Sequence, residues 1–313
     1  MNILRLENVV KNYGGFTAVD QVSFEIPEGV VFGMLGPNGA GKTSLIRIIT
    51  TITRADSGNI WFKDEPLNSR HPELIGYMPE ERGLYKKMKV GEHLTYLARL
   101  KGLSASAARE ELRYWMGHFD IKSWWDRKIE ELSKGMQQKV QFIATVVHKP
   151  RLLILDEPFS GLDPINANLI KDEIIKLHKN GTTIIFSTHR MEQVEEMCQH
   201  IVLINKGQNI LCGKVADIRQ QFKESLYKIE FEGQLPAELS SSGIHPSAFN
   251  IQSLSEHSLV LKAETGYGAN DLLRYLLEKN VSIRAFHEIL PTMNDIFIRQ
   301  VTDAATQSEA KQS

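Results

Sequence analysis

The sequence predicts an α/β fold: an open sheet with a phosphate-binding loop at one strand end, followed by a smaller α+β domain. Three observations carry this. Residues 31–50, VFGMLGPNGAGKTSLIRIIT, run from an apolar strand pattern through a glycine-rich loop into a helix pattern. Residues 151–157, RLLILDE, form a buried strand that ends in two carboxylates. From about residue 224, SLYKIEFEG alternates apolar and polar residues, as a strand with one wet face does. A chain of 313 residues exceeds a typical single domain, so two are expected, over 1–222 and 223–302. The polar tail 303–313 is expected to be disordered.

The loop comes first because it carries the chemistry. Gly36, Gly41, Lys42 and Thr43 fit G-x-x-x-x-G-K-[ST]. Glycines at 36, 39 and 41 let the backbone wrap an anion, since no Cβ opposes positive φ. Successive N–H groups then form a nest, Lys42 reaches the β/γ-phosphates of a nucleoside triphosphate, and the Thr43 hydroxyl ligates Mg²⁺. The helix that starts near Lys42 adds its positive end. That dipole supplies about 0.3–2 kcal/mol, so nest, lysine and metal do most of the holding.

Composition narrows the rest. Apolar residues make up 42% of the chain, ample for a core, and the net charge of −1 argues against binding bulk nucleic acid. No apolar run reaches the roughly 18 residues needed to span a bilayer. The N-terminus lacks the apolar core of a signal peptide, so a cytoplasmic protein is expected. Cys198 and Cys212 show no metal spacing and are expected to be reduced and structural. The ten histidines are scattered and offer no zinc pair.

Taken in order, residues 3–10 and 17–26 read as strands, with Pro27-Glu28-Gly29 as a turn and 59–64 as a further strand. Together they predict an antiparallel β layer. Tyr13, just before Gly14-Gly15, either packs or stacks on a base. A short strand ends at Met78-Pro79 before a charged loop, and residues 91–131 carry helix-spaced apolar residues, part of a helical region at about 88–140. Trp124-Trp125 is given no chemistry. Ser133 is able to cap the helix that follows it. Asp156, at the end of its buried strand, suits Mg²⁺, directly or through a water, and Glu157 suits a general base.

After a turn at 159–164, a helix over about 165–179 ends at Asn180-Gly181. TTIIFSTH (182–189) is another buried strand, ending at His189, a candidate phosphate sensor. Residues 191–198 read as a short acidic helix and 201–212 as a hairpin turning at Asn205-Lys206-Gly207. The second domain reads as a strand at 224, a polar loop with Pro236, Ser240–Ser242, Gly243 and Pro246, a strand near 258–263, a helix near 270–279, a strand near 281–288 and a helix near 292–301.

In that order, GPNGAGKT, LSKGMQQK, LLILDEP, SGLD and STH resemble the ATP-binding subunits of ABC transporters over roughly residues 1–222. The resemblance implies a P-loop ABC ATPase core with an antiparallel β subdomain and a helical subdomain. It implies ATP and Mg²⁺ as ligands and an adenine-stacking role for Tyr13. Gly36, Pro37, Asn38, Gly39, Ala40, Gly41, Lys42, Thr43 and Ser44 become the Walker A loop. Residues 132–136 become the signature, with Ser133 and Gly135 as nucleotide contacts. Asp156 and Glu157 become the Walker B aspartate and catalytic glutamate, 160–163 the D-loop and His189 the switch histidine. Thr43, Glu80 and Asp156 are the implied metal ligands, and Glu157, His189 and Lys42 the catalytic set.

Two positions depart from the family. Glu80 stands where a glutamine is usual, and the signature reads LSKGM, with Lys134 and Met136 substituted. GYMPEERGLYKKMKV and the ending LPTMNDIFIRQV look like the ATPases of ABC-2-type exporters similar to the sodium-efflux protein NatA. The implied partners are a second ATP-binding subunit, with a homodimer expected, and a separate membrane permease, with no nucleic acid. The implied location is the inner face of the cell membrane. A soluble ABC ATPase of translation or DNA repair usually has two cassettes or a long coiled coil, and neither is present. An importer ATPase and a non-hydrolysing regulatory module are the other rivals, the latter opposed by Glu157 and His189.

Overall fold

The computed structural model describes residues 1–81, 83–233 and 248–310. The chain folds as two compact units, Met1–Val215 and Ala216–Ser313. The sequence reading draws this boundary after residue 222.

In the first unit, β1 (Asn2–Tyr13) and β2 (Phe16–Pro27) form a long hairpin, extended by β4 (Ser57–Phe62) and β5 (Glu65–Pro66) into an antiparallel sheet ordered β2-β1-β4-β5. The second sheet contains β3 (Val31–Leu35), β6 (Ile75–Met78), β7 (Leu152–Asp156), β8 (Thr183–Ser187), β9 (His200–Asn205) and β10 (Gln208–Lys214). Its order is β10-β9-β3-β8-β7-β6, parallel except at the β9–β10 hairpin. Every residue of β3, β7 and β8 is buried, which explains their unbroken apolar runs: a parallel strand is covered on both faces. Helix α1 (Lys42–Ile49) lies in the core shared by the two sheets, where Leu45, Ile46 and Ile49 pack with Leu4, Val22, Phe32, Phe62 and Ile154.

Strand order positions the site. β3, β8, β7 and β6 are consecutive and parallel, so their C-terminal ends lie side by side. In open α/β sheets that edge is where ligands bind. Asp156 on β7 pairs with Ser187 on β8, which pairs with Met34 on β3. The segments carrying Gly36, Glu80, Glu157 and His189 all leave from this edge.

Between β6 and β7 come α2 (Val90–Leu100), α3 (Ala105–His118) and α4 (Lys134–Val146). The helix expected over 91–131 is broken at Gly102, and two 3₁₀ turns, Lys122–Trp124 and Ile129–Glu131, fill its end. Trp115, Phe119 and Phe142 hold α3 against α4, with ring centroids 5.9–6.2 Å apart. After β7, α5 (Pro164–Lys179) starts at an Asp163 cap, and α6 (Met191–Met197) follows β8. Both thiols are free. Cys198 is buried, which pushes its thiol up to about 12, and Cys212 is exposed.

The second unit has an antiparallel sheet ordered β12-β13-β11-β14: β11 (Leu226–Glu232), β12 (Phe249–Leu254), β13 (Ser258–Ala263) and β14 (Ser282–Ile289). Helix α7 (Val215–Gln221) precedes it. α8 (Ala269–Glu278) packs Leu272 and Leu276 with Tyr227, Ile229, Phe231, Leu259 and Leu261. The last helix, α9 (Met293–Ala310), continues through residues 303–310, which the sequence assigned to a disordered tail. Its final turns carry no apolar stripe, the signal on which the sequence reading relied. Edge strand β12 was also missed, because FNIQSL buries Phe249 and leaves Leu254 exposed. The expected polar loop at 236–246 lies outside the described residues, as do residues 311–313.

Candidate functional site

The phosphate-binding loop links β3 to α1, and steric closeness explains its glycines. Gly36 has φ 149°, and a Cβ there would lie 2.1 Å from the Ile204 carbonyl oxygen. Gly41 has φ 108°, and its Cβ would lie 2.2 Å from the Ala18 carbonyl oxygen. Real Cβ atoms do not approach so closely, and positive φ adds strain. Lys42 Nζ donates to the carbonyls of Gly36 (2.7 Å) and Pro37 (3.0 Å), which keeps the cation on the loop. Burial pushes its pKa down, against the pull of Asp156, Glu157 and Glu80.

These carboxylates come from neighbouring strand ends. Asp156 is 6% exposed, and burial is the main reason its carboxyl is pushed up; Glu80 and Glu157 add to this and Lys42 opposes it. Glu157 takes the left-handed region, φ 48°, a strain of about 1–3 kcal/mol for a residue with a Cβ. Its backbone N–H donates to Ser187 O at 2.9 Å. Its carboxylate accepts from the His189 N–H (2.8 Å) and His189 Nδ1 (2.6 Å), with the Thr188 hydroxyl at 3.3 Å. Nδ1 is the donor in this contact, since an ionised carboxylate only accepts.

A cleft of about 390 Å³ joins these groups. Its wall contains Tyr13, Asn38, Gly39, Ala40, Gly41, Lys42, Thr43, Ser44, Glu80, Asp156, Glu157 and His189, so residues predicted from five separate segments meet in one place. Gly36 and Pro37 reach it through Lys42. Ser133 and Gly135 are not in its wall. Ser133 Oγ accepts from Met136 N (3.3 Å) as the cap of α4, and Gly135 faces Leu162 and Asn166.

Three residues of this neighbourhood escaped the sequence reading. Phe16 lines the cleft opposite Tyr13 across the hairpin turn and is 61% exposed. Its only signal is its place one turn after Tyr13. Gln138 and Gln141 are buried on α4; their amides donate to Pro158 O (3.0 Å) and Pro79 O (2.8 Å). Nothing in their local sequence marks these long-range contacts.

Thr43, Glu80 and Asp156 offer only oxygen donors, which suits a hard cation such as Mg²⁺. Among the described residues no three His, Cys, Asp or Glu side chains gather as a metal cage. Mg²⁺ fits this, since it is usually held by one or two carboxylates together with substrate phosphates. No helix among the described residues is long and apolar enough to cross a membrane.

The chain is similar to known proteins both in sequence and in fold. Residues 19–160 match the family model described as ABC transporter. Residues 213–301 match that of the ATP-binding protein DrrA1-3-like, C-terminal domain. The chain is 42% identical to the ABC transporter ATP-binding protein YhaQ of Bacillus subtilis, over 96% of this chain and 98% of that protein. It is 32% identical to the linearmycin resistance ATP-binding protein LnrL of the same species, over 84% and 85%. It is 35% identical to the Nod factor export ATP-binding protein I of Cupriavidus metallidurans, over 68% and 71%. A solved ATP-binding subunit of an ABC transporter superposes with a TM-score of 0.66 at 28% identity, covering 70% of this chain and 93% of that one.

Proposed function

Since the chain belongs to the ATP-binding proteins of ABC transporters, we propose that it hydrolyses ATP to power export through a separate membrane permease. The observation that carries this is the cleft where the Gly36–Ser44 loop, Glu80, Asp156, Glu157 and His189 converge. The relatives named for Nod factor export and linearmycin resistance support the outward direction. The finer likeness to NatA-type sodium exporters rests on the sequence stretches alone.

In this reading the loop N–H groups and Lys42 hold the β- and γ-phosphates, and Tyr13 stacks on adenine. Thr43, Asp156 and Glu80 would hold Mg²⁺. When bound, it neutralises charge on the β- and γ-phosphate oxygens. Glu157 accepts the proton of the attacking water and is aimed by its two bonds from His189. A protonated His189 Nε2 would then donate to a γ-phosphate oxygen. Water adds to the γ-phosphorus as the bond to ADP breaks, giving ADP and inorganic phosphate.

Ser133 and Gly135 stand outside this chain's own cleft, which supports a homodimer in which the signature of one copy completes the site of the other. Glu80 and Lys134 are where this pair of sites departs from the family. The permease would dock in a groove of about 360 Å³ lined by Tyr77, Leu84, Leu97, Leu100, Lys101 and His148. This groove adjoins the loop that carries Glu80. The protein would then work at the inner face of the cell membrane. Glu157→Gln tests the catalytic assignment: ATP binding should persist while turnover stops, and near-normal hydrolysis would overturn it. Co-purification of the tagged chain with a membrane protein tests the partner; recovery only with ribosomes or DNA would count against transport.

A further inference from the structure

Tyr13 is held by an unusual set of contacts for a residue at a hairpin tip. It is 43% exposed and is followed by Gly14 and Gly15, both at positive φ. Packing therefore does little to orient its ring. Lys11 does more: its ammonium lies 5.5 Å from the ring centroid. That is within cation–π range. Lys11 is itself fixed, since its side chain is only 14% exposed and its Nζ lies 2.6 Å from Asp56 Oδ1. The other oxygen, Asp56 Oδ2, accepts from the Asn12 N–H at 2.7 Å, and the Asp56 N–H donates to Val10 O at 2.8 Å. One carboxylate, from the loop before β4, thus grips the residues on either side of one of the register shifts between β1 and β2.

We propose that Asp56 is a positioning residue for nucleotide binding, acting through Lys11 to fix the Tyr13 ring so that one face carries the ammonium and the other receives the base. This rests on the reading of Tyr13 as the base-stacking residue. The Lys11 salt bridge, then the Asn12 N–H, holds the Asp56 carboxyl below the usual carboxylate range, so the contact persists across the working pH. The effect belongs to the base alone. The phosphate loop makes none of these contacts, so a ligand without a base should not sense them.

The test uses the full chain, with affinities for ATP and for inorganic tripolyphosphate measured side by side, and KM and kcat for ATP. Asp56→Asn keeps an acceptor for the Asn12 N–H and removes the charge that holds Lys11. It should weaken ATP about threefold to tenfold through KM with kcat unchanged, the scale of a partly exposed cation–π contact. Tripolyphosphate affinity should be unchanged, and Lys11→Met should behave like Asp56→Asn. In a Tyr13→Ala background Asp56→Asn should add nothing. Lys11→Arg, which keeps the cation, should stay near wild type. Equal losses for ATP and tripolyphosphate, or a full Asp56→Asn loss on top of Tyr13→Ala, would overturn the proposal in favour of a merely structural role. A Tyr13→Ala loss with no Asp56→Asn loss would overturn it while leaving the stacking reading intact. If Tyr13→Ala leaves ATP affinity unchanged, the stacking reading fails and the proposal falls with it.

Discussion

The two ends of the proposed nucleotide cleft are built on opposite principles. The phosphate end is backbone and buried charge: glycines that no other residue replaces, a lysine on its own loop carbonyls, and a carboxylate that burial pushes up. The end proposed to take the base is two exposed rings, Tyr13 and Phe16, on a hairpin tip. Charge must be aimed within a fraction of an ångström to act on a reacting phosphoryl group, and buried strand ends provide that rigidity. Stacking tolerates more motion, because any ring has a face to offer. Substitutions at the phosphate end should therefore break chemistry or folding, whereas those at the base end should only grade affinity.

The largest expected effect tests the first half of that contrast. Glu157→Gln should lower kcat by about 10²–10⁴ with ATP still bound, measured as phosphate release beside equilibrium binding. Next, Gly36→Ala should abolish tight ATP binding and lower unfolding stability by about 1–3 kcal/mol, because its Cβ meets the Ile204 carbonyl; an alanine variant that binds normally would show the loop to be far softer than its contacts imply. At the base end, Tyr13→Ala should cost about 1–3 kcal/mol of ATP affinity. Phe16→Ala should cost less, since Phe16 is the more exposed ring, and GTP should follow ATP in both variants. A large kcat effect from either ring would erase the division between the two ends.

The smallest effect concerns buried groups that avoid charge. Burial lowers His93 and His148 to about 4, and both ring nitrogens of His93 lack a hydrogen-bond partner in the structure. A histidine whose folded pKa lies below its ordinary 6.5 stabilises the fold fully above pH 6.5 and loses that contribution as pH falls toward 4. Tm should therefore decline over this window, and His93→Phe should flatten part of the decline while changing stability little at pH 7.

Most of the phosphate end was legible in the sequence because it is local. VFGML and LLILDE state burial by their apolar runs, and GPNGAGKT states backbone shape by its glycines. Ser133 was legible as a cap for the same reason. Phe16, Gln138, Gln141 and the Asp56 contacts were not, since each depends on which distant segment the fold brings alongside. β12 and the end of α9 escaped because their sequences carry too little apolar periodicity to announce a strand or a helix.

The two glutamines of α4 have a mechanical consequence. Gln138 and Gln141 lie three residues apart, on one helix face, and each ends on a proline carbonyl. Proline has no N–H, so that carbonyl is the only hydrogen-bonding handle its backbone offers. Pro158 follows Glu157 and Pro79 precedes Glu80. Two loops far apart in the chain are therefore pinned to neighbouring positions on one helix, so α4 sets the spacing between the segments that carry Glu157 and Glu80.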